Sequence, residues 1–174
     1  MMNVFQHFFQ YDNVELDYHE TVVRYVTAVK SKADAEGWKL AVTGHSLGGG
    51  ISTIVGATLG IKSVAFSPPG LTRSRYKFET HFNNMQSLRP TAENAAENAV
   101  SFLPMHDVVP TADEHLGMVQ HTMCKNKDPL KCHNLEAMVC DLMNRCGDGD
   151  SGTRFTGGQA QEGHEQLYSQ CKVH

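Results

Sequence analysis

No stretch of this sequence is long and apolar enough to span a bilayer. No two cysteines stand in a C-x-x-C pair, which argues against a zinc ribbon or thioredoxin-type chemistry. Positive charge is not in excess either: 15 Lys and Arg against 19 Asp and Glu leave a net −4, so nothing general favours nucleic acid as a partner. The opening Met1-Met2-Asn3-Val4-Phe5-Gln6-His7 lacks a basic segment followed by an apolar run, so no signal peptide is expected in the chain as it stands. That leaves an intracellular protein or a coding sequence that begins further upstream. Internal repeats are absent. What remains is the composition of an ordinary globular domain, 40% hydrophobic and 20% charged, and 174 residues suit one core better than two.

All five cysteines, Cys124, Cys132, Cys140, Cys146 and Cys171, fall in the last third of the chain. Such clustering favours a local disulfide network formed in an oxidising compartment; reduced, partly buried thiols are the plainer alternative. Disulfides among Cys124, Cys132, Cys140 and Cys146 would bracket the segment around His133, leaving Cys171 as the odd thiol.

Apolar periodicity predicts a helix over 14–32, from Leu16, Val22, Val23, Val26 and Val29, ended by Glu36-Gly37. Trp38 to Thr43 reads as a buried strand and Ile51, Ile54, Val55 and Leu59 as a second helix stopping at Gly60. Lys62 to Phe66 is a second strand, closed by Ser67-Pro68-Pro69-Gly70. Residues 71–90 read as loop, Ala99 to Leu103 as a third strand and His115 to Met123 as a fourth. His133 to Arg145 is a third helix, with Leu135, Met138, Val139 and Leu142 on one face, and 147–163 a Gly-rich tail. Strand, helix and strand in succession make a parallel α/β sheet the economical architecture.

Gly44-His45-Ser46-Leu47-Gly48 lies where a strand should run into a helix. That context turns a common pattern into a nucleophile elbow. Small residues at Gly44 and Gly48 suit the strained turn, and Gly49, Gly50 and Ala57 would let the helix lie close to the sheet. The N–H of Leu47, at the helix N-terminus, is then a candidate oxyanion donor. A serine that merely caps a helix is the plainer reading; a phosphate loop fits less well, because no Gly-Lys-Ser/Thr follows. His45 is expected to pack beside the strand rather than act as base.

A serine nucleophile needs a base, and the base an orienting acid, in the chain order Ser, Asp or Glu, His for this kind of elbow. Asp107, just after a predicted strand, is the candidate acid, with Asp113 and Glu114 as local competitors. His115, His121, His133 and His164 lie downstream. His133 is favoured because a helix would fix it; His121 is second, and His164 sits in the tail, where a base would be poorly positioned.

Val42 to Gly50 resembles the elbow of the class 3, fungal-lipase-like lipases. Val64 to Gly70 resembles that family's next strand and loop, and Asp107-Val108-Val109-Pro110 its acid motif. Lys131-Cys132-His133 is similar to a segment of the autophagy-related vacuolar lipases of the class. The resemblance implies an α/β-hydrolase fold over residues 1–147, with 148–174 a polar tail. It implies Ser46 as nucleophile, Asp107 as acid and His133 as base, with no metal or organic cofactor. The implied substrate is an acylglycerol or phospholipid ester met at a membrane or lipid surface, with no transmembrane segment and no nucleic acid. A secretory, vacuolar or extracellular location follows from the cysteines and the resemblance together.

One departure stands out. Family members carry an Arg-Gly-Thr or Arg-Gly-Ser segment on an earlier strand, which supplies a second oxyanion donor, and this sequence has none. About 45 residues precede Ser46, so the N-terminal strands are expected to be missing and the chain to be a weak catalyst. A non-catalytic interaction module and another serine hydrolase, such as a thioesterase, are the alternatives. Arg73, Arg75 and Lys77 read as a solvated loop rather than a headgroup site. Asp148-Gly149-Asp150 is not a calcium loop, lacking Gly at its sixth position and Glu at its twelfth.

Overall fold

A computed structural model of the chain describes residues 18–83, 87–124 and 126–146, with the backbone alone described over 143–146. The chain divides into two compact units: Met1–Leu103 with Val109–Gln120, and Pro104–Val108 with His121–His174.

In the first unit, helix α1 spans Tyr18–Ala35 and is followed by strand β1, Ala41–His45. The strand starts three residues later than Trp38, where the sequence reading put it. Trp38 is instead part of the helix stop: Gly37 is left-handed (φ 74°), its N–H reaches Asp34 O at 3.2 Å, and the Trp38 N–H reaches Ala33 O at 2.8 Å. This is a Schellman closure, which uses the tryptophan's backbone and leaves its ring exposed. Helix α2, Leu47–Leu59, stops at left-handed Gly60 (φ 63°), and strand β2 covers Lys62–Phe66 as expected.

Residues 71–90, read as loop, hold a 3-10 turn at Arg75–Lys77 and a small antiparallel pair, β3 (Thr80–His81) with β4 (Ser87–Leu88). Short helix α3, Ala92–Asn98, was not foreseen. It is polar apart from its alanines and too short to show an apolar period; its signal was the N-cap Thr91, whose side chain accepts the Asn94 N–H at 3.1 Å. Strands β5, Ala99–Pro104, and β6, Met118–Thr122, complete a four-stranded sheet ordered β1-β2-β5-β6. β1 pairs parallel with β2 and β2 parallel with β5, in a register that sets His45 beside Phe66 and Phe66 beside Phe102.

The core lies where α1 and α2 meet the sheet: Val23, Val55 and Ile61 are buried, with Val22, Val26, Leu40, Val42 and Ile51 packed around them. A second cluster joins Ala57 of α2 to Ala95 and Ala99. Close approach is written into Gly56, whose Cβ would fall 2.7 Å from the Ser63 side chain. This is the parallel sheet with flanking helices expected of an α/β-hydrolase.

In the second unit, helix α4 is a single turn, Pro129–Cys132, and α5 spans Leu135–Cys146. The sequence reading had opened α5 at His133. Two caps explain the difference. Asp128 caps α4, accepting the Leu130 N–H at 3.0 Å, and Pro129 stands in its first turn. Asn134 accepts the Glu136 N–H at 2.8 Å and so opens α5 one residue beyond His133. A disulfide joins Cys124 to Cys132, with Cα atoms 5.6 Å apart, and Cys140 is disulfide-bonded as well. The proposed tail, Cys171 and His164 lie outside the described residues.

Candidate active site

The first unit carries the elbow. β1 ends at His45, and Ser46 takes a backbone that L-residues rarely adopt, φ 57° and ψ −125°, before α2 begins at Leu47. Its N–H donates to Phe66 O at 2.9 Å, which ties the turn to β2. Ser46 stands in the N-cap position, yet its side chain makes no capping hydrogen bond. The plain helix-cap reading of this serine therefore fails. The first intrahelical bond runs from the Gly50 N–H to Ser46 O at 3.0 Å. The N–H of Leu47 lies ahead of it, among the helix-end donors that have no acceptor within the helix.

The glycines divide the steric work unequally. A Cβ on Gly44 would sit 2.2 Å from Gly48 O, and one on Gly49 would come within 3.2 Å of Phe66 O and the Pro68 side chain. A Cβ on Gly48 would meet nothing within 4 Å. Gly44 is thus demanded by packing, while a side chain at Gly49 would need its neighbours to give by a few tenths of an ångström. Gly48, which the sequence reading had grouped with Gly44, is not demanded.

Asp107 and His133 come together in the second unit. Asp107 follows β5 in the turn Met105–Asp107, where the Met105 N–H donates to Thr122 O at 3.0 Å and the Asp107 N–H to Pro104 O at 3.3 Å. Its side chain is 0% exposed and that of His133 19%. The His133 Nδ1–H donates to Asp107 Oδ2 at 2.9 Å. A carboxylate can only accept here, so the neutral imidazole carries its lone pair on Nε2, the atom a general base uses. The His133 backbone is held by its N–H to Pro129 O at 3.0 Å, between the two caps and directly after the disulfide-bonded Cys132.

The competing acids, Asp113 and Glu114, have partners of their own. Asp113 turns its carboxylate onto the chain at Arg73–Ser74, accepting both backbone N–H groups, the Ser74 hydroxyl at 2.9 Å and the Glu114 N–H. Burial alone would raise its pKa, but the hydrogen bonds from Ser74, Arg73 and Glu114 outweigh that and hold the carboxyl below its ordinary value. Glu114 pairs with Arg73 at 2.5 Å, in the open. The Arg75 guanidinium bonds to Thr72 O and lies over the Tyr76 ring. The His115 ring is bound to Pro110 O at 2.9 Å. His121 lies on β6 and is exposed; His45 is half-buried at the end of β1.

Two features escaped the sequence reading. His106, beside Asp107, is left-handed (φ 70°), and its Nδ1–H donates to Asn126 O at 3.3 Å. Ser67, after β2, is left-handed too (φ 48°) and wholly buried. Among the described residues no group of three or more His, Cys, Asp or Glu is arranged to hold a metal ion.

Comparison with known proteins supplies an independent line. The family model described as lipase (class 3) matches residues 2–114, more than half of the chain. Ser46, Leu47 and Asp107 fall inside that span, and His133 beyond it. A protein of Mycosarcoma maydis named "Putative lipase ATG15" is 29% identical over 120 residues, covering 66% of this chain and 21% of that protein. The chain thus spans about a fifth of the length of this curated relative.

Proposed function

Since the chain belongs to the class 3 lipase family, we propose that it hydrolyses lipid carboxylic esters, acylglycerols or phospholipids, through an acyl-enzyme on Ser46. The observation that carries this reading is the Ser46 backbone: left-handed, at the junction of a parallel strand and a helix N-terminus, with no capping bond from its side chain. A left-handed serine is a strained arrangement, and strain of this kind gathers at reactive residues.

In the proposed cycle Ser46 Oγ attacks the ester carbonyl while His133 Nε2 takes its proton. The Leu47 N–H bonds to the developing oxyanion. The imidazolium, steadied by Asp107, then protonates the departing alcohol. Water repeats the sequence on the acyl-enzyme, frees the fatty acid and restores Ser46. Two observations support this reading: serine, acid and histidine follow one another along the chain in the order this kind of elbow uses, and Asp107 already orients His133. The catalytic domain in this reading is residues 1–147.

A lipid surface is the proposed setting. Asp107 is flanked by Met105 and Val108, 43% and 51% exposed, and His133 has Leu130 and Leu135 nearby in sequence, 74% and 39% exposed. Apolar side chains left in water around a site suit contact with an apolar phase.

The test is hydrolysis of short- and long-chain p-nitrophenyl esters and of emulsified triacylglycerol and phospholipid, with Ser46→Ala as control. The reading expects turnover that disappears in S46A and is greater on emulsified than on dissolved substrate. Turnover that survives S46A, or that is confined to thioesters, contradicts it.

A further inference from the structure

Among the described residues three non-glycine positions have positive φ: Ser46, Ser67 and His106, at 57°, 48° and 70°. Each stands within two residues of the C-terminal end of one of the parallel strands β1, β2 and β5. The first is the proposed nucleophile and the third adjoins the proposed acid. The second has no assigned role.

Ser67 is the counterpart of Ser46 one strand along. Ser46 sends its N–H to Phe66 O at 2.9 Å, and Ser67 sends its N–H to Phe102 O at 2.9 Å. The residues before them follow the same register, His45 beside Phe66 and Phe66 beside Phe102, and the two phenyl rings stack at 5.4 Å. The turn at Ser67 delivers Pro68 to the start of α2, where its Cβ lies 3.2 Å from the point a Cβ on Gly49 would occupy. Ser67 thus bears on the helix turn that begins with the Leu47 N–H.

Stability alone does not account for a serine here. Glycine would take the left-handed backbone without steric cost, whereas serine is strained in it. The hydroxyl adds a second cost, because Ser67 is 0% exposed and its Oγ has no hydrogen-bond partner among the described residues. Two penalties at one residue, in a turn that braces the elbow, point to use during turnover.

Resting on the reading of Ser46 as nucleophile, we propose that Ser67 is a positioning residue of the elbow. Its turn presses Pro68 onto the first turn of α2. Its hydroxyl, which has no hydrogen-bond partner among the described residues, bonds to the elbow when that turn takes up the oxyanion. Removing the hydroxyl should then relieve the fold and impair the reaction.

The experiment measures kcat and KM on p-nitrophenyl butyrate, and thermal melting, for the full chain and for Ser67→Gly, Ser67→Ala and Ser46→Ala. S67G is expected to melt about 2–4 °C higher, the shift typical of a small gain in a chain of this size. S67A should melt no lower than wild type. Both should lose about tenfold in kcat with KM changed less than about twofold, the pattern of an interaction made only in the transition state. A lower melting point for S67G overturns the argument from strain. Wild-type kcat in either variant, or a change confined to KM, overturns the positioning role while leaving Ser46 untouched. Wild-type activity that does not depend on Ser46 overturns the underlying reading and this proposal together.

Discussion

Asp107 and Asp113 stand six residues apart and are put to opposite uses. Asp107 points a buried oxygen at an imidazole, while Asp113 turns its oxygens onto the backbone of Arg73 and Ser74. The sequence favoured Asp107, just after a strand, and kept Asp113 as a local competitor; the structural use of Asp113 rests on partners 39 and 40 residues away. Asp113 yields a prediction with a definite sign. Its folded pKa lies below the unfolded value, so its contribution is present above the unfolded pKa, about 3.9, and is lost as the pH falls through the folded value. Asp113→Asn should cost about 1 kcal/mol at pH 7, a figure kept small because the carboxylate is partly solvated. The gap from wild type should close below about pH 4 in melting curves. At the proposed base, His133→Ala should lower ester hydrolysis by about 10³-fold or more. His121→Ala should leave it within about twofold, since that side chain lies on an exposed strand. Loss in His164→Ala with retention in H133A would move the base to His164.

At the scale of elements, apolar spacing revealed α2 and β2 closely, because Ile54 and Val55 are buried and Gly60 ends the helix by its left-handed backbone. Spacing failed where caps decide. Trp38 looked like strand and serves a helix stop; Asn134 and Asp128 moved His133 out of a helix and into the junction between two. α3 carried no apolar stripe at all. Two elements can be tested directly. Gly44→Ala should cost about 3 kcal/mol or prevent folding, since its Cβ would meet backbone at 2.2 Å. Gly48→Ala should change stability by less than about 1 kcal/mol. Denaturant melts of the two variants check the contrast, and equal effects would refute it. The Cys124–Cys132 bridge spans eight residues and ends beside His133. Replacing both cysteines with serine should cost roughly 2–3 kcal/mol by the loop-closure relation. It should also lower kcat more than it raises KM, because the base loses a constraint on its backbone. Unchanged kcat in folded protein would show that the caps alone position His133.

For the whole molecule, the α/β class was legible before any coordinates, because a strand-turn-helix around Ser46 constrains what can surround it. Less legible were features that depend on distant partners: which cysteines join, that Asp113 is structural, and that Ser67 shares the positive φ of Ser46. The net charge of −4 left the partner class to the site itself. Ser46 and the Asp107–His133 pair belong to different compact units, so the account stands or falls on whether they act together. The most direct measurement is the rate at which a fluorophosphonate probe modifies the protein, with the labelled peptide identified by mass spectrometry, for wild type, S46A, H133A and H121A. The account expects the phosphonate on Ser46, no labelling of S46A, a rate lowered at least about 10³-fold in H133A, and H121A close to wild type. Labelling of another residue, or an H133A rate equal to wild type, would contradict it.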